Sequence, residues 1–268
     1  MRLLSALIST LALSSSTFGP LDFTEYGFPW ERRLGTNFGL GSPFGGTVTR
    51  YTSSGFPDCP FTRRIGLDGE SASCGIKLNK SLGYGDYEVW FSANLAALDP
   101  TTNTAVWLYD DLDASTKGNQ EIDAEFSRWS DTNNPYGVHL GVFDKGIRFG
   151  SVAKFLARPA RYWRVKLRWG PKRQQIFTEA YQENHAAVWD PVKETTTVTK
   201  TGRWISTGEA TFDLPSPKIG ATLRIAIAQN SPPMFTLSNR ARSKVIVCGV
   251  RFTPAAAIEP PTRTVRRK

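Results

Sequence analysis

Three acidic and three apolar residues alternate in the range 121–126, which reads Glu-Ile-Asp-Ala-Glu-Phe. In a β-strand successive side chains point to opposite faces, so Glu121, Asp123 and Glu125 would share one face and the apolar residues the other. At about 3.3 Å rise per residue the Cβ atoms of the two glutamates lie roughly 13 Å apart, and extended side chains leaning together would bring their carboxyl groups to about 5–6 Å. Two carboxylates at that separation can cleave a glycosidic bond with retention of configuration.

The chemistry of such a pair explains why carboxylates are needed at both positions. One carboxylate attacks the anomeric carbon, while a second, protonated carboxyl group donates its proton to the leaving oxygen and later activates water. Asp123 lies between the glutamates, and crowded carboxylates raise one another's pKa, which keeps one of them a usable acid near neutral pH. The alternative is that the three acids only solvate the outer face of a strand.

Aromatic residues near the acids in sequence favour a carbohydrate, whose ring faces are apolar and whose edges are polar. We predict substrate contacts from Trp107, Tyr109 and Trp129, with His139 and Trp30 as further candidates. Trp30 could stack on a sugar ring or fill the edge of the core, and Trp129 could also be a core side chain.

Other chemistries find little support in the sequence. His139 and His185 are the only histidines, so no histidine or cysteine cluster for zinc is present, and no Gly-x-Ser-x-Gly motif occurs. The glycine-rich range 35–46 does not precede a helix and is a poor phosphate loop. The acidic range 110–120 lacks the flanking helices of an EF-hand, so a structural calcium is not predicted. We therefore expect no metal and no cofactor.

Short segments of strand-forming residues follow one another between turn signals, and no segment has a sustained helical period. An Asp-Gly turn is predicted at 68–69 and a hairpin across Gly170-Pro171. This pattern predicts an all-β jelly roll or β-sandwich in one domain over residues 20–253. The predicted strands, besides 121–126, are 47–51, 74–78, 87–92, 104–109, 137–143, 147–151, 162–169, 175–181, 195–199, 223–228 and 244–252.

The sequence near the two ends of the chain indicates where the protein is expected to be located. Met1-Arg2, an apolar run over 3–13 and the serines that follow are typical of a secretory signal, assigned to residues 1–19; the alternative is a buried N-terminal strand. No other segment is apolar over the length of a membrane span. We expect a secreted or periplasmic protein in which Cys59 and Cys74 are the likelier disulfide pair and Cys248 is a buried thiol. Residues 254–268 are predicted to be a disordered basic tail.

The chain carries a formal charge of +9, of which +5 remains on the domain without the signal and the tail. Ten lysines and arginines and no acid lie between Lys145 and Arg173. Either they solvate an outer face, as alternation with apolar residues in 162–169 indicates, or they attract an anionic polymer, a sulfated or carboxylated glycan before nucleic acid. We expect a polysaccharide partner, no nucleic acid and a monomer.

The range 121–126 resembles the Glu-x-Asp-x-Glu signature of glycoside hydrolase family 16, which includes laminarinases, lichenases, agarases and carrageenases. The ranges 82–89, 106–109, 162–182 and 247–253 resemble the strands that accompany this signature. The resemblance implies a concanavalin A-like jelly roll of two antiparallel sheets, with Glu121 as nucleophile, Glu125 as acid/base and Asp123 as the residue that tunes them. No residue is inserted before Glu125, which is similar to the lichenase and carrageenase type.

Three departures from the family pattern bear on the substrate. Ala124 replaces a larger apolar residue, the range 223–229 has no tryptophan, and the loop over 110–120 does not match the loop of the family. The expected function is a secreted, retaining endo-glycosidase acting on a β-linked polysaccharide, β-1,3/1,4-glucan first and sulfated galactan second. A non-catalytic carbohydrate-binding module and a transglycosylase on the same fold are the alternatives.

Overall fold

The structure is a computed structural model that describes residues 23–34, 47–52, 56–59, 61, 63–68, 74–95, 102–110, 120–128, 137–144, 147–155, 160–190, 195–214, 221–229 and 244–255. Within these ranges the chain forms strands β1 (Phe23–Glu25), β2 (Phe28–Leu34), β3 (Thr47–Thr52), β4 (Arg63–Asp68), β5 (Cys74–Leu78), β6 (Gly85–Ser92), β7 (Thr102–Asp110), β8 (Glu121–Ser127), β9 (Gly137–Asp144), β10 (Ile147–Phe155), β11 (Tyr162–Trp169), β12 (Gln174–Asp190), β13 (Thr195–Phe212), β14 (Ala221–Gln229) and β15 (Lys244–Pro254). No helix in the described part of the chain is long and apolar enough to cross a membrane.

The strands form two antiparallel sheets that pack face to face. The eight-stranded sheet has the order β1-β2-β5-β14-β7-β8-β9-β10, and the seven-stranded sheet has the order β13-β12-β11-β6-β15-β4-β3. Strand β8, which carries the acidic row, lies inside the eight-stranded sheet between β7 and β9. The predicted jelly-roll β-sandwich is confirmed.

The core lies between the sheets and explains the alternation in the sequence. Ile122, Ala124 and Phe126 of β8 are fully buried, and the ring of Phe126 lies 5.5 Å from that of Phe91 and 5.4 Å from that of Trp163 in the seven-stranded sheet. One face of β8 therefore anchors the strand to the core, and the acids must face the other way.

The basic residues of β11 lie on the outer face of the seven-stranded sheet. Arg168 makes a two-pronged contact with Asp86, at 2.6 Å and 2.9 Å, and Arg164 pairs with Glu179. Between them, the apolar residues of β11 are buried. Part of the basic run in the sequence is thus neutralised by neighbouring strands, which favours the solvated outer face over an anionic-polymer surface.

Of the two turns predicted from the sequence, one is present as a hairpin and the other is not. β11 and β12 form the predicted hairpin around Gly170-Pro171. The Asp68-Gly69 hairpin is wrong, because β4 pairs with β3 and β15 while the next strand, β5, lies in the other sheet. The Asp-Gly signal follows the end of a strand, and the chain then passes from one sheet to the other.

Strands β12 and β13 are much longer than predicted, with 17 and 18 residues. They pair with each other from Gln174 and Phe212 to Asp190 and Thr195. Backbone hydrogen bonds can sustain a two-stranded ribbon without apolar alternation, so the sequence carries no periodic signal for the length of these strands.

The aromatic N-terminal range contains a hairpin. Tyr26 and Gly27, with φ of 55° and 81°, form the two-residue turn between β1 and β2. Trp30 on β2 is fully buried, and its indole Nε1 donates to the carbonyl oxygen of Glu25 at 3.0 Å. The prediction that Trp30 contacts substrate is wrong, because its ring belongs to the core, as the alternative proposed.

All three cysteines are free thiols, so the predicted Cys59–Cys74 disulfide is wrong. Cys74 lies buried on β5, whereas the thiol of Cys59 donates to the carbonyl oxygen of Cys248 at 3.0 Å, in the other sheet. Cys248 is buried as predicted, and its burial raises the pKa of the thiol well above its usual range. The predicted signal (1–19) and nearly all of the predicted tail lie outside the described residues, as does Trp129.

Candidate active site

Strand β8 presents its three acids on the outer face of the eight-stranded sheet. Asp123 in the middle of the row is only 3% exposed, while Glu121 and Glu125 are partly exposed. The alternation that the sequence predicts is therefore present, with the apolar residues inside and the acids outside.

Strand β7 supplies one side of the site. Directly paired residues of neighbouring strands point to the same face, so the partners of the acids lie beside them. Trp107 is nearly buried and Tyr109 is half-buried. Both stand on the acidic face as expected, and their contact with substrate remains a prediction. The pairs are Tyr109 with Glu121, Trp107 with Asp123, Ala105 with Glu125 and Asn103 with Ser127.

Strand β9 supplies the other side. His139 pairs with Glu125, Gly141 with Asp123 and Phe143 with Glu121. The Nδ1 atom of His139 lies 3.5 Å from Oε2 of Glu125 and 4.0 Å from Oδ1 of Asp123. The sequence-based interpretation made His139 a substrate contact, whereas in the structure the imidazole adjoins two of the acids.

Asn103 orients Glu125 and was missed by the sequence analysis. Its side-chain Nδ2 donates to Oε1 of Glu125 at 2.7 Å. The strand was predicted to begin at residue 104, one residue too late to include it. Had the alternation of Trp107 and Tyr109 been extended backwards by two residues at a time, it would have placed Asn103 on the acidic face.

Gly141 leaves the space that the carboxyl group of Asp123 occupies. A Cβ atom built on Gly141 would lie 2.6 Å from Oδ1 of Asp123, a distance that no real contact sustains. Any side chain at this position must therefore displace the central acid, which is itself buried and held between β7 and β9.

We expect Gly141→Ala to lower catalytic turnover by about 10–100-fold, because a displacement of about 1 Å at a catalytic group can cost that much. Thermal unfolding should change little, since the clash is with the end of one side chain. Activity assays and calorimetry on the variant test this, with Gly202→Ala as a control whose clash is with Tyr181 on the other sheet. Full activity in Gly141→Ala would show that the position of Asp123 is unimportant.

The surroundings of Glu121 shift the pKa of its carboxyl group. Burial, together with the negative charge of Glu125, raises the pKa of Glu121 to about 7, and the guanidinium of Arg224 acts in the opposite direction. Because the negative charge of Glu125 is one cause of this shift, a proton on Glu125 makes Glu121 easier to ionise. Glu121 is therefore most readily a carboxylate when Glu125 is neutral.

Asp123, Glu125 and His139 also form a group that could hold a metal ion, since one ligand atom from each lies within 4.8 Å of the others. The search of the sequence for histidine and cysteine spacing missed this group because it forms across two strands. A cation here would bind the oxygen atoms that handle protons and would compete with acid–base chemistry. The expectation of no metal remains a prediction.

The arrangement can perform displacement at a carbon between two carboxyl groups. It provides a partly exposed carboxylate, a second carboxyl group oriented by an amide and an imidazole, and a buried acid between them. Aromatic side chains line the same face, which suits a sugar ring. Paired carboxyl groups beside aromatic side chains are residue types that suit the cleavage of a glycosidic bond.

Comparison with known proteins gives matches only at the level of structure. No family profile matches the sequence, and no curated protein matches it. A Bacteroides ovatus mixed-linkage glucan family 16 protein, solved with a G4G4G3G product, has 13% identity and a TM-score of 0.57, covering 87% of this chain and 97% of that one.

Two further structures resemble the chain. SCLam, a non-specific endo-β-1,3(4)-glucanase from family 16, has 14% identity and a TM-score of 0.49 over 83% of both chains. The Crh5 transglycosylase has 13% identity and a TM-score of 0.46, covering 79% of this chain and 85% of that one. At such identities the likeness concerns the fold. The chain has the jelly-roll β-sandwich fold of glycoside hydrolase family 16 enzymes.

Proposed function

We propose that the protein is a glycosidase that cleaves β-linked polysaccharide with retention, using Glu121 as nucleophile and Glu125 as acid/base. The observation that carries this proposal is the pair of glutamates on one face of β8 with unlike neighbours. Glu125 is contacted by Asn103 and His139, whereas Glu121 lies between Tyr109 and Phe143 of the neighbouring strands. Unlike environments are what separate the roles of two carboxyl groups.

In the first step Glu121 attacks the anomeric carbon and Glu125 gives its proton to the leaving oxygen, so that a glycosyl ester forms and the downstream sugar departs with that proton. Asn103 donates to Oε1 of Glu125, so the proton of the neutral acid belongs on Oε2. In the second step Glu125, now ionised, takes a proton from water, and the oxygen of that water displaces Glu121.

Asp123 has a supporting role in this scheme. It is nearly buried between the two glutamates, with Trp107 on one side and His139 within 4.0 Å on the other. A charged carboxylate in this position would act on both neighbours, because attraction and repulsion are screened less away from water. We therefore assign Asp123 the tuning role that the resemblance to family 16 implies.

The face beside the acids suits a polymer that crosses the strands. From Glu125 the in-register residues on β7, β14 and β5 are Ala105, Ala226 and Gly75, which are too small to fill the face. In the next row Trp107 offers an aromatic side chain. A shallow surface of small residues beside an aromatic side chain fits an extended glycan better than a single sugar.

We propose β-1,3/1,4-glucan as the first substrate class and sulfated galactan as the second. The glucan is supported by the likeness to the Bacteroides ovatus protein, which was solved with a mixed-linkage glucan product. The sulfated galactan rests on the net positive charge alone, and ion pairs of Arg164 and Arg168 on the opposite sheet reduce that support. Export through the N-terminal signal belongs to the same proposal.

The test is a reducing-end assay of the purified protein on lichenan, laminarin, agarose and carrageenan, with products identified by mass spectrometry. We expect short oligosaccharides from lichenan, released first as the β-anomer in a proton NMR time course. Transfer to a labelled acceptor oligosaccharide without new reducing ends would identify a transglycosylase. Binding to a glycan with neither outcome would identify a carbohydrate-binding module and overturn the proposal.

A further inference from the structure

Arg224 on β14 reaches toward one end of the acidic row. It pairs with Trp107 on β7, so its side chain is on the face that carries the acids. The guanidinium carbon nevertheless lies 4.3 Å from the centre of the Tyr109 ring, which belongs to the neighbouring pair. Tyr109 in turn lies directly opposite Glu121. The guanidinium therefore contacts the residue that stands directly beside Glu121.

The two glutamates thus have different neighbours. Asn103 and His139 adjoin Glu125, and no cationic side chain on β7 or β9 pairs with Glu121 in the described residues, where its partners are Tyr109 and Phe143. On its own strand the charged neighbours of Glu121 are Asp123 and Glu125, both acids. The charge of Glu125 raises the pKa of Glu121, and Arg224 is the cation that acts in the opposite direction.

We propose that Arg224 is a positioning residue for Glu121, and that its guanidinium, held on the Tyr109 ring, keeps Glu121 as the carboxylate and leaves the proton of the pair on Glu125. This inference rests on the proposed roles of the two glutamates. A cation beside one member of a coupled pair favours the state in which that member is ionised. The reaction begins only from that state, because the nucleophile must be an anion and the acid must be neutral.

The choice of arginine is consistent with this role. A guanidinium is charged at every pH at which the protein folds, and its flat surface stacks on an aromatic ring, which a lysine ammonium does not reproduce. Arg224 is also only 8% exposed, so salt screens its charge less than that of a surface arginine. Arg224 lies in the range 223–229, where the family 16 pattern has a tryptophan and this sequence has none.

The test compares pH–rate profiles of kcat/KM for the wild type, Arg224→Met and Arg224→Lys. Activity requires ionised Glu121, so it falls as pH drops through the pKa of that residue. We expect the acid limb of the Arg224→Met profile to move to higher pH by about one unit. At pH values below the limb this is about a tenfold loss of kcat/KM, and at pH 8 the loss is smaller. Arg224→Lys keeps the positive charge but not the stacking on Tyr109, so its acid limb should move up by less than that of Arg224→Met. The control is Lys77→Met. Lys77 is the cation on β5 that pairs with Arg224, on the side of β14 that faces away from β7 and the acids.

A second measurement does not depend on glycan cleavage. Carbon-13 NMR of the side-chain carboxyl groups follows the titration of Glu121 in the free protein, assigned with Glu121→Gln. We expect its midpoint to rise in Arg224→Met; if that variant does not fold, Arg224→Gln replaces it. An unchanged midpoint together with an unchanged acid limb overturns the inference. A raised midpoint in a protein that cleaves no glycan would leave the role of Arg224 standing and overturn the proposed function instead.

Discussion

Glu121→Gln is expected to lower kcat/KM on the polysaccharide by at least about a thousandfold, because an amide cannot form the glycosyl ester that the first step requires. The fold should be unaffected, since the side chain is partly exposed and loses its charge without a change of shape. The loss should appear in kcat, because the interaction removed is one made in the transition state. Initial rates on lichenan and a thermal melt measure both quantities.

Azide separates the role of Glu121 from a general effect of its charge. With an activated β-aryl glycoside, Glu121→Gly leaves room for azide to attack the anomeric carbon from the vacated side, giving the α-glycosyl azide. In Glu125→Gly azide instead attacks the glycosyl ester on Glu121 and gives the β-glycosyl azide. NMR assigns the anomer, and the opposite pattern would reverse the two roles. Glu179→Gln is the matched control, because Glu179 lies on the outer face of the other sheet.

The acidic row was predictable because everything that defines it is local. Alternation along one strand decides which residues face the core, and the full burial of Ile122 and Phe126 shows that the rule applied here. The same reasoning placed Trp107 and Tyr109 on a strand before the acids. The sandwich followed from the number of short strands and the absence of any helical period.

The partners of the acids were less accessible, since they depend on which strands become neighbours. Asn103 and Gly141 lie on the strands before and after β8, but their importance arises from register, which a single sequence does not specify. Arg224 is farther in sequence, on β14, which inserts between β5 and β7. No local pattern predicts that neighbour.

The wrong predictions have the same cause. Trp30 and Cys59 were interpreted from residue type, whereas their environment is set by packing across the sandwich. Trp30 enters the core from an early hairpin, and Cys59 meets the backbone of Cys248 near the other end of the chain. The Asp-Gly signal at 68–69 was interpreted as a hairpin turn, whereas β4 ends there and the next strand lies in the other sheet.

Phe126 links the acidic row to the other sheet, and its removal is expected to have the largest effect on stability. The side chain is fully buried and lies against the rings of Phe91 and Trp163. Phe126→Ala removes these contacts and leaves a cavity between the sheets, so we expect the free energy of unfolding to fall by about 3–5 kcal/mol. Urea unfolding followed by tryptophan fluorescence measures the change.

Phe177→Ala is the control for Phe126→Ala, because Phe177 is half-buried on the outer face of β12 with Lys166 over its ring. For this variant we expect the free energy of unfolding to fall by no more than about 1 kcal/mol, since a surface ring loses mainly its contact with a lysine chain.

The activity of Phe126→Ala should also fall while the protein is still folded. The ring of Phe126 follows Glu125 in the strand and holds β8 in its position against the core. Equal losses of stability in the two variants would contradict the burial on which this expectation rests, and unchanged activity in folded Phe126→Ala would show that the acidic row does not depend on this anchor.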